Sequence, residues 1–177
     1  MLIPILIASA FIVLAFIIFV ATRPAGFRVI RSATVAAPAA KVFAQVNDFH
    51  QWAAWSPWEK LDPAMQKTFN GAPSGTGAIY EWNGNKKAGA GRMTITESLP
   101  GEVIRIKLEF LKPFQSTNIS EFTFQPHGGN TLLTWTMSGF PDCFMFKAMS
   151  LLCNMEKRIG GDFERGLAQM KTIVEKS

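Results

Sequence analysis

Cysteine is nearly absent from this chain. Cys143 and Cys153 are the only two, too few for a disulfide framework and spaced unlike any zinc or redox motif. Both are expected as buried thiols, with a single bridge as the alternative if the domain is exported. Histidine is equally scarce, and His50 and His127 cannot furnish a His-rich metal centre. No metal site and no cofactor is expected. A Ser-His-Asp order and a phosphate loop are missing too: Gly128-Gly129-Asn130 and Gly89-Ala90-Gly91-Arg92 read as turn signals. Charge is lacking from the first 22 residues, whereas all 18 Lys+Arg and all 13 Asp+Glu follow them. The net charge of +5 therefore belongs to the later part of the chain.

What is present is a chain of 177 residues, 48% apolar and 18% charged. That composition excludes disorder, and the length excludes large repeat architectures. A domain of about 150 residues buries roughly two-thirds of its unfolded surface, enough for a core without staples. The expected division is 1–22 as a transmembrane anchor, 23–26 as a short linker and 27–177 as one folded domain.

The opening run, MLIPILIASAFIVLAFIIFVAT, would span about 33 Å as a helix against a hydrocarbon core of about 30 Å. Pro4 falls in the first turn, where its missing N–H breaks no helical bond. A cleaved signal peptide is the competing reading. It is disfavoured because no basic residue precedes the apolar run and a cut after Ala21 would put Phe19 where a small residue is wanted. Arg23, Arg28 and Arg31 follow the run closely, so a retained single-pass anchor would leave the carboxyl-terminal domain in the cytoplasm. The same arginines can meet anionic lipid heads.

Beyond the linker, Phe27–Ala36 alternates and is rich in β-branched residues, which predicts a first strand. Pro38 opens a helical pattern with Val42, Phe43 and Val46 on one face, and a short helical turn is expected over Asp48–Ala54. The period then changes to two. Strands are expected at Gln66–Asn70, Gly77–Asn83, Gly89–Ser98, Val103–Leu111, Thr117–Gln125 and Thr131–Gly139, joined by short turn-forming breaks into an antiparallel meander. In the clearest of them Ile104, Ile106, Leu108 and Phe110 share one face while Arg105, Lys107 and Glu109 share the other. The cover for the apolar face is a long amphipathic helix over Phe144–Val174, interrupted by Gly160-Gly161, where a kink or a close approach to the sheet is expected.

One strand, two short helices, six antiparallel strands and a long last helix is the order of the helix-grip fold, an α+β architecture in which a curved antiparallel sheet wraps the terminal helix. Two stretches carry a family resemblance: VAAPAAKVFAQVNDFHQWAAWSPW from Val35 to Trp58, and GTGAIYEW from Gly75 to Trp82. With them, residues 27 to 175 resemble the polyketide cyclase/dehydrase-like branch of the START-like superfamily (the SRPBCC family). Members of that superfamily bind lipids, hormones or polyketides, cyclise substrates, or activate a heat-shock ATPase. The resemblance thus implies a fold, not one activity.

Trp52, Trp55 and Trp58, three apart, would form one aromatic wall on a helical turn. They either pack the short helices under the sheet or line the mouth of a cavity. A hydrophobic cavity between sheet and helix is the expected binding feature. Its candidate walls are Tyr80, Trp82 and Met93, then Ile106 and Phe110, then Phe122, Trp135 and Met137 on the strands. Trp55 from the short helices and Met149, Leu152 and Phe163 from the terminal helix would close it. The alternative is an ordinary closed core.

For acid–base chemistry the residues to examine are Asp48, His50, Glu81, Glu97, Asp142 and Glu156, of which Asp48 and His50 could form a dyad. No catalytic residue is assigned. Lys86-Lys87 and Lys157-Arg158 are small pairs rather than a basic stripe, so nucleic acid is not an expected partner. The expected protein is a membrane-tethered START-like domain that binds a hydrophobic small molecule or lipid and is not itself a catalyst. A cyclase- or dehydrase-type enzyme and a co-chaperone-like interaction module are the alternatives.

Overall fold

Period-two alternation of apolar side chains over residues 66–139 produces a single curved sheet in the computed structural model, which describes residues 2–22, 26–139 and 155–176. The elements are α1 (Leu2–Ala21), β1 (Phe27–Val35), α2 (Ala39–Asn47) and α3 (Trp52–Trp55), the last flanked by 3-10 turns at Phe49–Gln51 and Pro57–Lys60. Then follow β2 (Gln66–Gly71), β3 (Ala78–Asn83), β4 (Ala90–Leu99), β5 (Val103–Lys112), β6 (Ser116–His127), β7 (Asn130–Gly139) and α4 (Met155–Lys176). The seven strands lie in the order β1-β7-β6-β5-β4-β3-β2, every pairing antiparallel. The meander thus runs from β2 to β7, and β1 closes the sheet against its last strand.

Each expected strand forms to within a few residues of its expected bounds. The terminal helix is described from Met155; the remainder of the expected helix, and with it Met149, Leu152, Asp142 and both cysteines, lies outside the described residues.

The register defines two ends of the sheet. Phe27 pairs with Gly139, Gly139 with Asn118, Phe110 with Ser116 and Asn83 with Ala90, so the loops 84–89 and 113–115 share the end where β1 begins. We term this the entry end. The loops 72–77, 100–102 and 128–129 share the opposite, far end.

Helix α4 crosses the inner face from entry end to far end, burying Phe163, Leu167, Met170 and Val174 at helical spacing. Arg31, which the β1 alternation places on this inner face, ties the helix down: its guanidinium meets Glu156 at 2.8 Å and Glu164 at 2.6 Å. Between those two glutamates lies Gly160, where a Cβ would sit 2.0 Å from Arg31 Nη2. The expected close approach at the glycine pair is this contact, and a larger residue there would displace the guanidinium. At the far end Lys171 Nζ donates to the carbonyl of Thr34 and Glu175 accepts from the N–H of Ala36.

Helix α1 bears no acidic or basic residue. Its side chains are described at Pro4, at Ile7 and from Ser9 onward. Among the described residues no helix is long and apolar enough to cross a membrane, so the span expected over 1–22 is not established by the fold.

Candidate functional site

The inner face of the sheet is built in two parts. Towards the far end the aromatic side chains form one solid cluster. Trp135 from β7 stacks on Phe163 of α4 with ring centres 3.9 Å apart and planes within 4°, and on its other side meets Phe122 at 4.7 Å. Trp55 closes the cluster edge-on to Trp135 at 5.6 Å. The helix can come this near because Gly166 faces the rings: a Cβ there would lie 3.1 Å from Trp135 and 3.2 Å from Pro57. Three indole N–H groups are used internally, that of Trp135 on Ser120 Oγ at 2.8 Å, that of Trp52 on the carbonyl of Val46 and that of Trp55 on the carbonyl of Gln45. Of the expected wall, then, Trp55, Phe122, Trp135 and Phe163 come together as packed core, and Ile106 is sealed beneath them.

Towards the entry end the cover thins. Along β5 Ile104 and Ile106 are 0% exposed, Leu108 is 6% and Phe110 is only half-buried. Along β4 Ile95 is 1% and Met93 is 9%, and along β7 Trp135 is 1% and Met137 is 6%. On β3 the step is from buried Tyr80 to half-buried Trp82. Of these four strands only β3 and β5 reach partial exposure on the inner face at the entry end, at Trp82 and Phe110; Met93 and Met137 stay buried. The expected residues Trp82, Met93, Phe110 and Met137 thus form the entry-end margin of the same core: Met93, Met137 and Tyr80 are buried in it, and half-buried Trp82 and Phe110 pack against it. Trp82 lies flat over Gly91, where a Cβ would sit 2.3 Å from the indole, and its N–H is held by the carbonyl of Ala88 at 3.1 Å. Beside these residues Asn118 is buried with its Oδ1 lacking a hydrogen-bond partner among the described residues, a costly state for an amide oxygen. Oδ1 points over Gly139, where a Cβ would approach it to 2.0 Å.

Two polar groupings flank these parts. Sequence reasoning missed Glu59, a nearly buried carboxylate in the 3-10 turn after α3. Its Oε1 accepts from the Tyr80 hydroxyl at 2.7 Å and its other oxygen pairs with Lys67. Burial, reinforced by the bond to Glu59, pushes the Tyr80 phenol well above its ordinary range. With both oxygens engaged, the Glu59 carboxylate acts as a brace joining the short helices to β2 and β3. The only sequence signal was the Tyr80 hydroxyl, which needs a partner when buried.

The second grouping is Asp48 with His50. His50 Nδ1 lies 2.7 Å from Asp48 Oδ1, and the backbone N–H of His50 donates to the same oxygen at 2.8 Å. Burial pushes Asp48 up, but the bonds from the His50 backbone, its ring and Gln51 outweigh it and hold the carboxyl below its usual range. The imidazole stacks on Phe69 at 4.2 Å beside a cleft of about 140 Å³ lined by Phe49, Phe69 and the 70–73 turn. This cleft lies at the far end, away from the entry-end margin.

The remaining acidic candidates are paired on the surface: Glu81 with Arg92, Glu97 with Arg105, and Glu156 with Arg31. A broad cleft of about 610 Å³ lies on the outer face of β1, β7 and β6, with Arg28, Glu121 and Ser138 in its wall. Among the described residues no group of His, Cys, Asp or Glu could hold a metal ion.

Solved structures share the fold at low identity. A protein from Chromobacterium violaceum, CV1439, is 19% identical with a TM-score of 0.59, the match covering 86% of this chain and 99% of that one. CalU16 from Micromonospora echinospora is 15% identical with a TM-score of 0.57, covering 86% and 80%. The Aha1 dimer from Colwellia psychrerythraea is 10% identical with a TM-score of 0.60, covering 84% and 96%. No curated protein matches the sequence. The family model described as polyketide cyclase / dehydrase and lipid transport matches residues 26–175, and with a seven-stranded sheet gripping α4 over that same stretch, the chain belongs to this family.

Proposed function

We propose that the protein binds a hydrophobic small molecule, a lipid or an aromatic metabolite, over the apolar margin of the core at the entry end of the sheet. The observation that supports this is the half-exposure of Trp82 and Phe110 at the entry end of β3 and β5, close to a buried Asn118 whose Oδ1 has no hydrogen-bond partner among the described residues. An apolar surface with one convergent polar group is the usual make-up of a small-molecule site. A ligand hydroxyl or amide N–H would satisfy Asn118 while its apolar body lay across Trp82, Met93, Leu108 and Phe110. The sealed cluster would take no part beyond holding the sheet's curvature.

The protein is further proposed to be tethered to a membrane by residues 1–22, with its carboxyl-terminal domain cytoplasmic. This rests on the absence of charge there and on the 20-residue backbone helix α1, about 30 Å long. Phe11, Ile12, Val13 and Leu14 are all exposed; four consecutive residues cover every side of a helix, so α1 offers apolar surface all round.

Mass spectrometry of small molecules extracted from the purified full chain tests the binding reading. Leu108→Trp crowds this margin, and Lys107→Asp alters the opposite face of the same strand. One class of apolar molecule should accompany the wild type and Lys107→Asp and be largely lost from Leu108→Trp. Equal content in all three, or none in any, would overturn it.

A further inference from the structure

The strand-joining loops at the two ends of the sheet differ in charge. At the far end the loops 72–77, 100–102 and 128–129 contain no lysine or arginine, and their one charge is Glu102. At the entry end the β3–β4 hairpin presents Lys86 and Lys87 and the β5–β6 hairpin presents Lys112, all three exposed and in no ion pair among the described residues. Arg28, the second residue of β1, is exposed at the same end. The two hairpins touch: a Cβ on Gly89 would lie 2.5 Å from the carbonyl oxygen of Lys112. Two large apolar side chains stand among these cations, Leu111 at 50% and Phe114 at 54% exposure. The nearby acids are already engaged, Asp62 by the backbone N–H groups of Ala64 and Asn85 and Glu109 by Lys107.

We propose that this paired hairpin tip is a docking surface for an anionic lipid bilayer, with Phe114 and Leu111 entering the headgroup region and Lys86, Lys87 and Lys112 meeting lipid phosphates and carboxylates. Charge complementarity is one argument, since cations ringing exposed apolar side chains match the interfacial zone of a membrane. Chain connectivity is the other, and it rests on the tether proposed above. From Thr22 to Phe27 is five residues, so β1 begins within about 17 Å of the end of α1. Neighbouring strands are about 4.8 Å apart, which puts the β5–β6 tip about 10–14 Å from β1 and the β3–β4 tip about 19–24 Å from it. A bilayer holding α1 is therefore within reach of both hairpins, and the far-end loops, a strand length away, are not. Docking in this orientation turns the entry-end margin towards the lipid.

Hydrogen exchange on the full chain in nanodiscs tests this, comparing zwitterionic phosphatidylcholine with a mixture containing phosphatidylserine. Amides of 84–89 and 111–116 should exchange up to about a hundredfold more slowly in the anionic bilayer, since each of the three lysines near such a surface strengthens binding about fivefold. The protection should be lost in the triple variant Lys86→Glu, Lys87→Glu, Lys112→Glu and reduced in Phe114→Ser, with the far-end loops unchanged in all cases as a control for folding. Equal exchange in both lipids, or protection that survives charge reversal, would overturn the proposal. Retention after alkaline washing reports on the tether separately. If the chain is not retained, the same exchange is measured with vesicles added from solution: charge-dependent protection of the hairpins then upholds docking without the tether, and its absence overturns docking.

Discussion

The sealed and unsealed halves of one sheet face differ in what covers them, although the strands beneath are the same. Over the far half, α4 comes close enough at Gly166 for Phe163 to stack on Trp135, and both rings are buried. Over the entry half, the strands continue past the sealed cluster, and Phe110 and Trp82 keep part of their surface. Packing density is thus not a uniform property of this fold. It is set locally by how near the helix approaches, and at the entry end of β3 and β5 Trp82 and Phe110 keep apolar surface exposed.

The comparison breaks most sharply at Ile106, which lies under the seal. Ile106→Asp should abolish folding, because an unpaired buried carboxylate costs several kcal/mol against a total stability of about 5–15 kcal/mol. Lys107→Asp on the outer face should be nearly neutral in denaturant unfolding. Similar midpoints for the two would mean that the faces are not distinct.

A pair of aromatic truncations sharpens it further. Trp135→Ala should cost about 3–5 kcal/mol by opening a void in the sealed cluster. Phe110→Ala removes a half-exposed ring and should cost about 1–2 kcal/mol, yet it should be the one of the two that changes the amount of co-purifying ligand. Urea midpoints and ligand content measured on both variants check this, and a reversed order would place the binding surface in the sealed half.

The smallest expected effect belongs to the border between the halves. Tyr80→Phe removes the bond to Glu59 and should cost about 1 kcal/mol at neutral pH. Because the Tyr80 phenol ionises above its ordinary value of 10.0 in the folded protein, its contribution is complete below that pH and declines as pH rises beyond it. The stability difference between wild type and Tyr80→Phe, followed from pH 8 to 11, should therefore shrink on the alkaline side. A difference independent of pH would show that the hydroxyl is not the brace.

Much of this was legible in the residues themselves. Alternation in VIRIKLEFL assigned Ile104, Ile106 and Leu108 to the covered face, and helical spacing assigned Phe163, Leu167, Met170 and Val174 to the underside of the last helix. Glu59 was not legible. A lone glutamate in Pro-Trp-Glu-Lys looks like solvent-facing charge, and it is buried only because β2 and β3 bring Lys67 and Tyr80 against it. Arg31 was legible as a strand residue but not as a clamp, since its partners Glu156 and Glu164 lie far along the chain.

The sequence alone determined the antiparallel meander, which faces of its strands are apolar, the uncharged first segment and the family, because period, turn chemistry and charge are local properties carried by neighbouring residues. Tertiary structure alone decided where the grip is sealed, that Asn118 Oδ1 has no partner among the described residues, and that Lys86, Lys87 and Lys112 share one end of the sheet. Each of those depends on contacts between residues far apart in the chain, and the distance at which two packed elements come to rest is set by the whole interface between them, as Gly166 against Trp135 and Gly160 against Arg31 show.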